Sequence, residues 1–449
     1  INSVGDNYFS DSKKPFGEGP DKALNFMLTL GKSLGFKTKN IDGYCGYIEF
    51  GDGDKLLGIV GHLDTVPEGE NWTYPPFSGI IQNGNIYGRG AIDDKGPVMA
   101  SLYAMKIVME YCKDNSINLN KRVRLILGLN EEKEWKCINY YKSHEEIPSY
   151  GFSPDADFPC IYAEKGIFSI NLSSDYTEEF TKNIVIKNID CNNNAINVVP
   201  KICNITLEIS KSIDIELFIK NTQNLIKDLN FEIDIYKENT NTIKLTSYGK
   251  QAHSAHPELG INAVSRLIIL INKLFDIYDI NIPLFKFFAK YINTEINGES
   301  LYINIHDESG NLTFNVANLY LKNNKINIDI NMRVPIQTKF DYIENKIKKL
   351  LEEFEGINIK ILGTKDPLYI PKDNPLVKKL CEIYNKNTKS DAKPIAIGGA
   401  TYARAFPNCI SFGPNLPNHK DMCHQTDEFI SIENLLLCAK IYAEAIFLT

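Results

Sequence analysis

Apolar and polar positions along this chain follow two different rhythms. In the first, buried-looking runs alternate with helical spacing. "GPDKALNFMLTLGKSLGF" (19–36) repeats apolar positions on one helical face and stops at glycine, which predicts a helix. "KLLGIVGHLD" (55–64) predicts a buried strand, and "KGPVMASLYAMKIVMEYCKD" (95–114) a helix whose Pro97 sits in the first turn, where a missing N–H costs little. "RVRLILGLNEE" (122–132) predicts a second buried strand, ending in two glutamates. Strands alternating with helices predict an α/β fold with a mostly parallel sheet flanked by helices.

The rhythm changes near residue 167. "GIFSINLSS", "KNIVIKNID" (182–190), "ICNITLEIS", "FEIDIYKEN" and "TIKLTSYG" alternate apolar and polar residues, as strands with one wet face do. Helices are expected at about 213–229 and 260–276, followed by strands at "NLTFNVANLYL" and "KINIDINMRVP" and a helix at "DYIENKIKKLLEEFE". From 366 the first style returns: a helix at "NPLVKKLCEIYNK", a strand at "CISFGP" and a last helix at "SIENLLLCAKIYAEAIF". The chain therefore divides into a first part (1–166), an inserted α+β lid domain (167–365) and a closing part (366–449) that completes the first domain.

Composition narrows the classes of function. The chain has 449 residues, 43% of them hydrophobic, and a net charge of −7 without a basic stripe. That argues against nucleic acid or an anionic membrane as a partner. No apolar run reaches the length of a membrane span, and "INSVGDNYFS" does not read as a signal peptide, so a cytoplasmic location is expected. Ten scattered cysteines without a C-x-x-C read as reduced, mostly buried thiols.

Candidate chemistry gathers at the carboxyl ends of the predicted strands, where open α/β sheets bind ligands. His62 and Asp64 end one strand, and Glu131 and Glu132 end another. Asp93 and Asp94 precede a helix, Asp155 lies in "SPDADFP", and His424 follows the strand "CISFGP". Each alone has an ordinary explanation: a loop histidine, a solvated helix start, an N-cap, a turn. Together they place many carboxylates at one end of one sheet, where only a cation relieves their repulsion. Carboxylate with imidazole suits zinc, and also manganese or cobalt.

The ordered set "GHLDTVP", "GRGAIDDKGP", "LNEEKEW", "SPDADFP…EKG", "GKQAHSAHPELGINA", "GGATYARAF" and "DMCHQTDE" resembles the M20 metallopeptidase family, and within it the PepV-like dipeptidase branch of Xaa-His and carnosinase-like enzymes. The motifs span nearly the whole chain. The resemblance implies two divalent metal ions: His62 and Asp155 on one, Glu132 and His424 on the other, and Asp93 bridging, with a cis peptide bond between Asp93 and Asp94. Asp93 is chosen over Asp94 as the aspartate two residues before Lys95, and Asp155 over Asp157 on the match to "PDA". Glu131 becomes the general base, acting on a water between the ions. Asp64 is expected to accept a hydrogen bond from the His62 ring. His253, in the frame "G-K-x-A-H", is implied to stabilise the oxyanion. Asn197, Arg333, Gly399 and Thr401 are implied to bind substrate, with an arginine suited to a free α-carboxylate. His144, His306 and His419 match nothing catalytic and read as surface residues.

The implied enzyme is a dipeptidase acting on unblocked dipeptides or short peptides, with the insert closing over the substrate. The large insert implies a monomer, a homodimer being the alternative. The rivals are an N-acyl amino acid deacylase or carboxypeptidase-like amidohydrolase, which would use the same metals and base, and an inactive peptide-binding protein, which would not need Glu131.

Overall fold

A computed structural model describes residues 1–6, 8–9, 13–177, 183–191, 195–417 and 419–449. The chain forms two compact units. The first comprises Ile1–Glu164, Leu368–Ala396 and Ala400–Thr449, and the second Lys165–Pro367 with Ile397–Gly399.

The first unit is built on a nine-stranded sheet. Its order is Lys37–Ile41, Cys45–Gly51, Lys121–Gly128, Lys55–His62, Tyr150–Ser153, Cys409–Ser411, Ile161–Glu164 and Leu368–Tyr369, and a further strand starting at Ile395 pairs with Ile161–Glu164. The four central strands run parallel and both edges are antiparallel. Parallel strands are covered on both faces and read as continuous apolar runs. Lys55–His62 fits this, being buried at every position after Lys55. The helix expected over 95–114 is observed as Lys95–Asp114 and packs against the last helix, Ile432–Leu448.

Parallel register delivers the chemistry to one end of the sheet. His62 pairs with Gly128, so Glu131 and Glu132 emerge just beyond it. Ile59 pairs with Phe152, and beyond this pair His62 ends its strand beside Asp155, which lies two residues past the end of the neighbouring strand. The backbones and side chains approach closely here. A Cβ on Gly61 would lie 2.4 Å from Val98 Cγ2 and 2.5 Å from Asp94 Oδ2.

The second unit contains two four-stranded antiparallel sheets. One has the order Thr313–Lys322, Lys325–Val334, Gly166–Asp175, Ile357–Lys365, and the other Ile184–Asp190, Ile202–Ile209, Thr242–Tyr248, Ile233–Lys237. Ile202–Ile209 alternates half-buried and buried residues, which turns Cys203, Ile205, Leu207 and Ile209 into the core. The strand expected from 182 begins at Ile184; residue 182 lies outside the described residues. Helices Ile215–Leu229 and Ala263–Ile277 are close to the expected ranges. Their caps are Asp214, which accepts the Glu216 and Leu217 amides, and Asn262, which accepts the Ser265 amide.

Several features depart from the expectations, among them the strands Lys37–Ile41, Cys45–Gly51, Tyr150–Ser153 and Ile161–Glu164, which are not among the expected elements. Short helices at Lys136–His144 and Pro283–Tyr291 are additional to the expected ones; neither starts with a side-chain cap. The strand Ile357–Lys365 is mostly exposed, so it lacks the apolar alternation that would announce it. Cys191 and Cys203 form a disulfide, contrary to the reading of every thiol as reduced. Asp190 pairs with Asn204 in the antiparallel register, and that brings the next residues, Cys191 and Cys203, face to face. The other eight cysteines are free, and all but Cys423 are buried. No helix among the described residues is long and apolar enough to cross a membrane.

Gly61→Ala should destabilise the first unit by about 1–3 kcal/mol, as overpacking does. Chemical denaturation checks this, and an unchanged midpoint would contradict the close approach.

Candidate metal centre

Two groups of donors lie at the carboxyl end of the first unit's sheet. His62, Asp93 and Asp155 form one, and Asp93, Glu132 and His424 the other; within each, the donor atoms lie within 4.8 Å of one another. Asp93 belongs to both. Its Oδ1 lies 3.0 Å from His62 Nε2 and its Oδ2 lies 2.9 Å from His424 Nε2. Asp155 Oδ2 is 3.7 Å from His62 Nε2, and Glu132 Oε1 is 3.1 Å from His424 Nε2. Asp157 is not in either group; it lies in a short strand paired with Pro414–Asn415.

The backbone around these donors is specialised. The Asp93–Asp94 peptide bond is cis, and His424 has φ 63°. Asp94 Oδ2 accepts the His62 backbone N–H at 3.1 Å, so of the two adjacent aspartates one meets the imidazoles and the other fixes a strand end. Asp64 acts differently from the expectation. The His62 Nδ1 hydrogen bond runs to the backbone carbonyl of Asp64 at 2.9 Å, while the Asp64 carboxylate stands 3.5 Å away. That carboxylate instead accepts the backbone amides of Glu131 and Glu132, each at 3.1 Å. The turn after His62 presents its carbonyl to the ring and leaves the carboxylate free to reach the neighbouring strand end. Asp64 thus holds the His62 ring with its main chain and the glutamate turn with its side chain.

Electrostatics in this pocket are those of acids competing for few protons. Burial opposes ionisation of Asp93, yet hydrogen bonds to His424 and His62 hold its carboxyl well below the ordinary range. Burial, with Asp93 and Asp94 nearby, pushes Asp155 well up, and burial with Asp93 also raises Glu132. Burial would lower His62, but the nearby carboxylates of Asp64 and Asp93 raise it well above its usual value. Burial likewise opposes protonation of His424, and its bonds to Asp93 and Glu132 lift it to about 11. Protons on the imidazoles thus balance the carboxylates. A divalent cation replaces those protons with a denser charge, and carboxylates with imidazoles are its natural donors.

The remaining expected site residues sort by unit. Thr401, in the first unit, is buried and committed elsewhere: its hydroxyl donates to Glu164 Oε1 at 2.8 Å and lies 2.7 Å from Ser411 Oγ. Glu164 is fully buried and also accepts from Arg404 Nε at 2.8 Å. Thr401 therefore ties its loop to this acid, which is part of the motif "EKG" but carries no signal of its own in the sequence. Asn197, His253, Arg333 and Gly399 belong to the second unit, where buried Ser254 links three of the segments. Its amide donates to Asn197 O at 2.9 Å, and its hydroxyl accepts from Arg333 Nη2 at 2.9 Å. Arg333 also donates to Gly398 O at 2.7 Å and Asn331 Oδ1 at 3.2 Å. His253 is exposed beside this cluster, its Nδ1 accepting the Ala255 amide at 3.3 Å. His144, His306 and His419 are on the surface, as expected.

Residues 58–447 match the sequence profile of peptidase family M20/M25/M40. The chain belongs to this family. As a member of the M20/M25/M40 family it is a hydrolase of peptide bonds. It is 38% identical to the Bacillus subtilis protein named "Putative dipeptidase YtjP" over 449 residues, covering 100% of this chain and 94% of that protein. Among solved structures it is similar to an M20 family metallo-carboxypeptidase from Sulfolobus solfataricus, with TM-score 0.57 and 18% identity over 96% of this chain and 94% of that one. It is also similar to human carnosine dipeptidase 1, with TM-score 0.55 and 13% identity over 94% of this chain and 88% of that one. The likeness to these solved structures shows the fold: an α/β unit with a mostly parallel sheet and an inserted α+β unit, the class expected from the alternation of strands and helices.

Metal uptake by the stripped protein should release protons, because an imidazolium must lose its proton before its nitrogen can donate to a cation. Affinity should therefore fall as pH falls. Isothermal titration at neutral pH in two buffers of different ionisation enthalpy reads the release; identical heats in both would contradict it.

Proposed function

We propose that this chain is a metal-dependent dipeptidase that hydrolyses the peptide bond of unblocked dipeptides or short peptides. The observation that carries this reading is the shared Asp93, whose two oxygens face the imidazoles of two separate donor groups. His62, Asp93 and Asp155 would hold one divalent ion, and Asp93, Glu132 and His424 the other. Bound there, such ions supply Lewis-acid polarisation and a more acidic water. Zinc is the first choice, and manganese or cobalt suits the same donors.

Glu131 belongs to neither donor group yet is fixed through its backbone beside Glu132. It takes the proton of the attacking water and hands it to the leaving amine. Asp64 positions Glu131 and Glu132 together, so base and donor cannot shift independently. The oxyanion role of His253 and the substrate contacts of Asn197, Arg333 and Gly399 rest on their motifs. A dipeptide substrate is supported by the name of the Bacillus relative.

Stripped protein resupplied with zinc or manganese should cleave unblocked dipeptides and leave N-acetylated dipeptides and N-acetyl amino acids intact. Turnover of N-acetyl amino acids would make it a deacylase instead. Glu131→Gln should lower turnover by about 10²–10⁴-fold, the range for a lost general base, while bound metal is unchanged. Full activity of that variant would contradict the assignment.

A further inference from the structure

Outside the donor set, the first unit contains a second concentration of buried charge. Arg89 and Glu428 form an ion pair at 2.6 Å, with side chains 2% and 0% exposed. Such a pair is costly to desolvate and is weak evidence for stability alone. Its partners are informative. Glu428 Oε1 accepts the backbone amides of Ile92 at 3.0 Å and Asp93 at 3.3 Å. Arg89 Nη2 donates to the His424 carbonyl at 3.3 Å and to those of Glu68 at 3.1 Å and Pro67 at 3.4 Å. The guanidinium also lies 5.4 Å from the Trp72 ring centroid.

One ion pair therefore grips the main chain of three segments. It holds residues 92–93, where the shared carboxylate starts. It holds His424, whose left-handed backbone is unfavourable for a residue with a side chain and must be retained by its surroundings. It also holds the loop that follows His62 and Asp64. That loop is stitched again to the His424 segment, because Thr73 donates twice to Asp427, at 2.7 Å each, and Thr426 donates to Glu70 O at 3.0 Å. The geometry leaves Arg89 Nε buried without a partner, so the arrangement does not maximise the arginine's own hydrogen bonding.

We infer that Arg89 and Glu428 are positioning residues for the metal centre: as a pair they set the spacing between Asp93 and His424, and so the affinity for the cation those two residues hold. This rests on the proposed donor roles of Asp93 and His424. Groups behind metal ligands typically change metal affinity by about 10–100-fold when altered. Beyond the ion pair itself, the hydrogen bonds of Arg89 and Glu428 go to main chain, so the pair acts by placing the donors and not as a ligand.

The test titrates manganese(II) alone into stripped protein by calorimetry, for the wild type, Glu428→Gln and Arg89→Lys. Glu428→Gln keeps an oxygen for the Ile92 and Asp93 amides but removes the charge that anchors Arg89. Arg89→Lys keeps the charge but cannot span Glu428 and the His424 carbonyl together. Each variant should weaken at least one of two binding events by about 10–100-fold. Turnover of an unblocked dipeptide by either variant should fall at limiting manganese and recover as manganese is raised, a metal dependence that a purely structural role would not produce. Unchanged affinity in both variants would overturn the inference. So would failure of both to fold, which would make the pair an element of stability. Wild type that binds no manganese would instead overturn the reading of the donor groups, and the two failures are distinct.

Discussion

The two donor groups of the first unit turn on one carboxylate. Asp93 offers one oxygen to His62 and the other to His424, and a carboxylate that serves two groups must be fixed in position and direction. Its main chain is held by Glu428, its neighbour Asp94 is tied to the end of the His62 strand, and the helix Lys95–Asp114 begins immediately after. The parallel centre of the sheet brings the other donors to it. Because His62, Glu132 and Asp155 leave three neighbouring strands in register, no long loop is needed to gather them.

The repulsion in this cluster is the physical counterpart of that arrangement. Asp155 and Glu132 are pushed toward the protonated form, while Asp93 is kept ionised by two imidazoles. A site that must hold protons to balance its own acids is prepared to exchange them for cations. Asp64 adds a second economy, since a single residue restrains the His62 ring through its carbonyl and the Glu131–Glu132 turn through its carboxylate.

Much of this is legible in the amino-acid sequence. His62, Glu131 and Glu132 end apolar runs, so the strand period places them at strand ends, whereas Asp155 is singled out only by its motif "SPDADFP". The helix Lys95–Asp114 matches its expected range because Pro97 and the apolar spacing agree. What the pattern of residues does not reveal depends on contacts between distant segments. Thr401 is an ordinary polar residue in its motif, and only the burial of Glu164 shows that its hydroxyl is already engaged. The bond from the His62 ring to the Asp64 carbonyl follows from the path of a turn, which residue type does not encode on its own. Cys191 and Cys203 meet through antiparallel register between two strands, not through a cysteine motif. Arg89 and Glu428 are 339 residues apart in the chain and belong to separate motifs, so neither points to the other.

If Asp93 serves two ions, elemental analysis of bound metal in desalted protein will show it. Two ions per chain are expected for the wild type, one each for His62→Ala and His424→Ala, and fewer than one for Asp93→Ala. An Asp93→Ala protein that is folded and still carries two ions would contradict it.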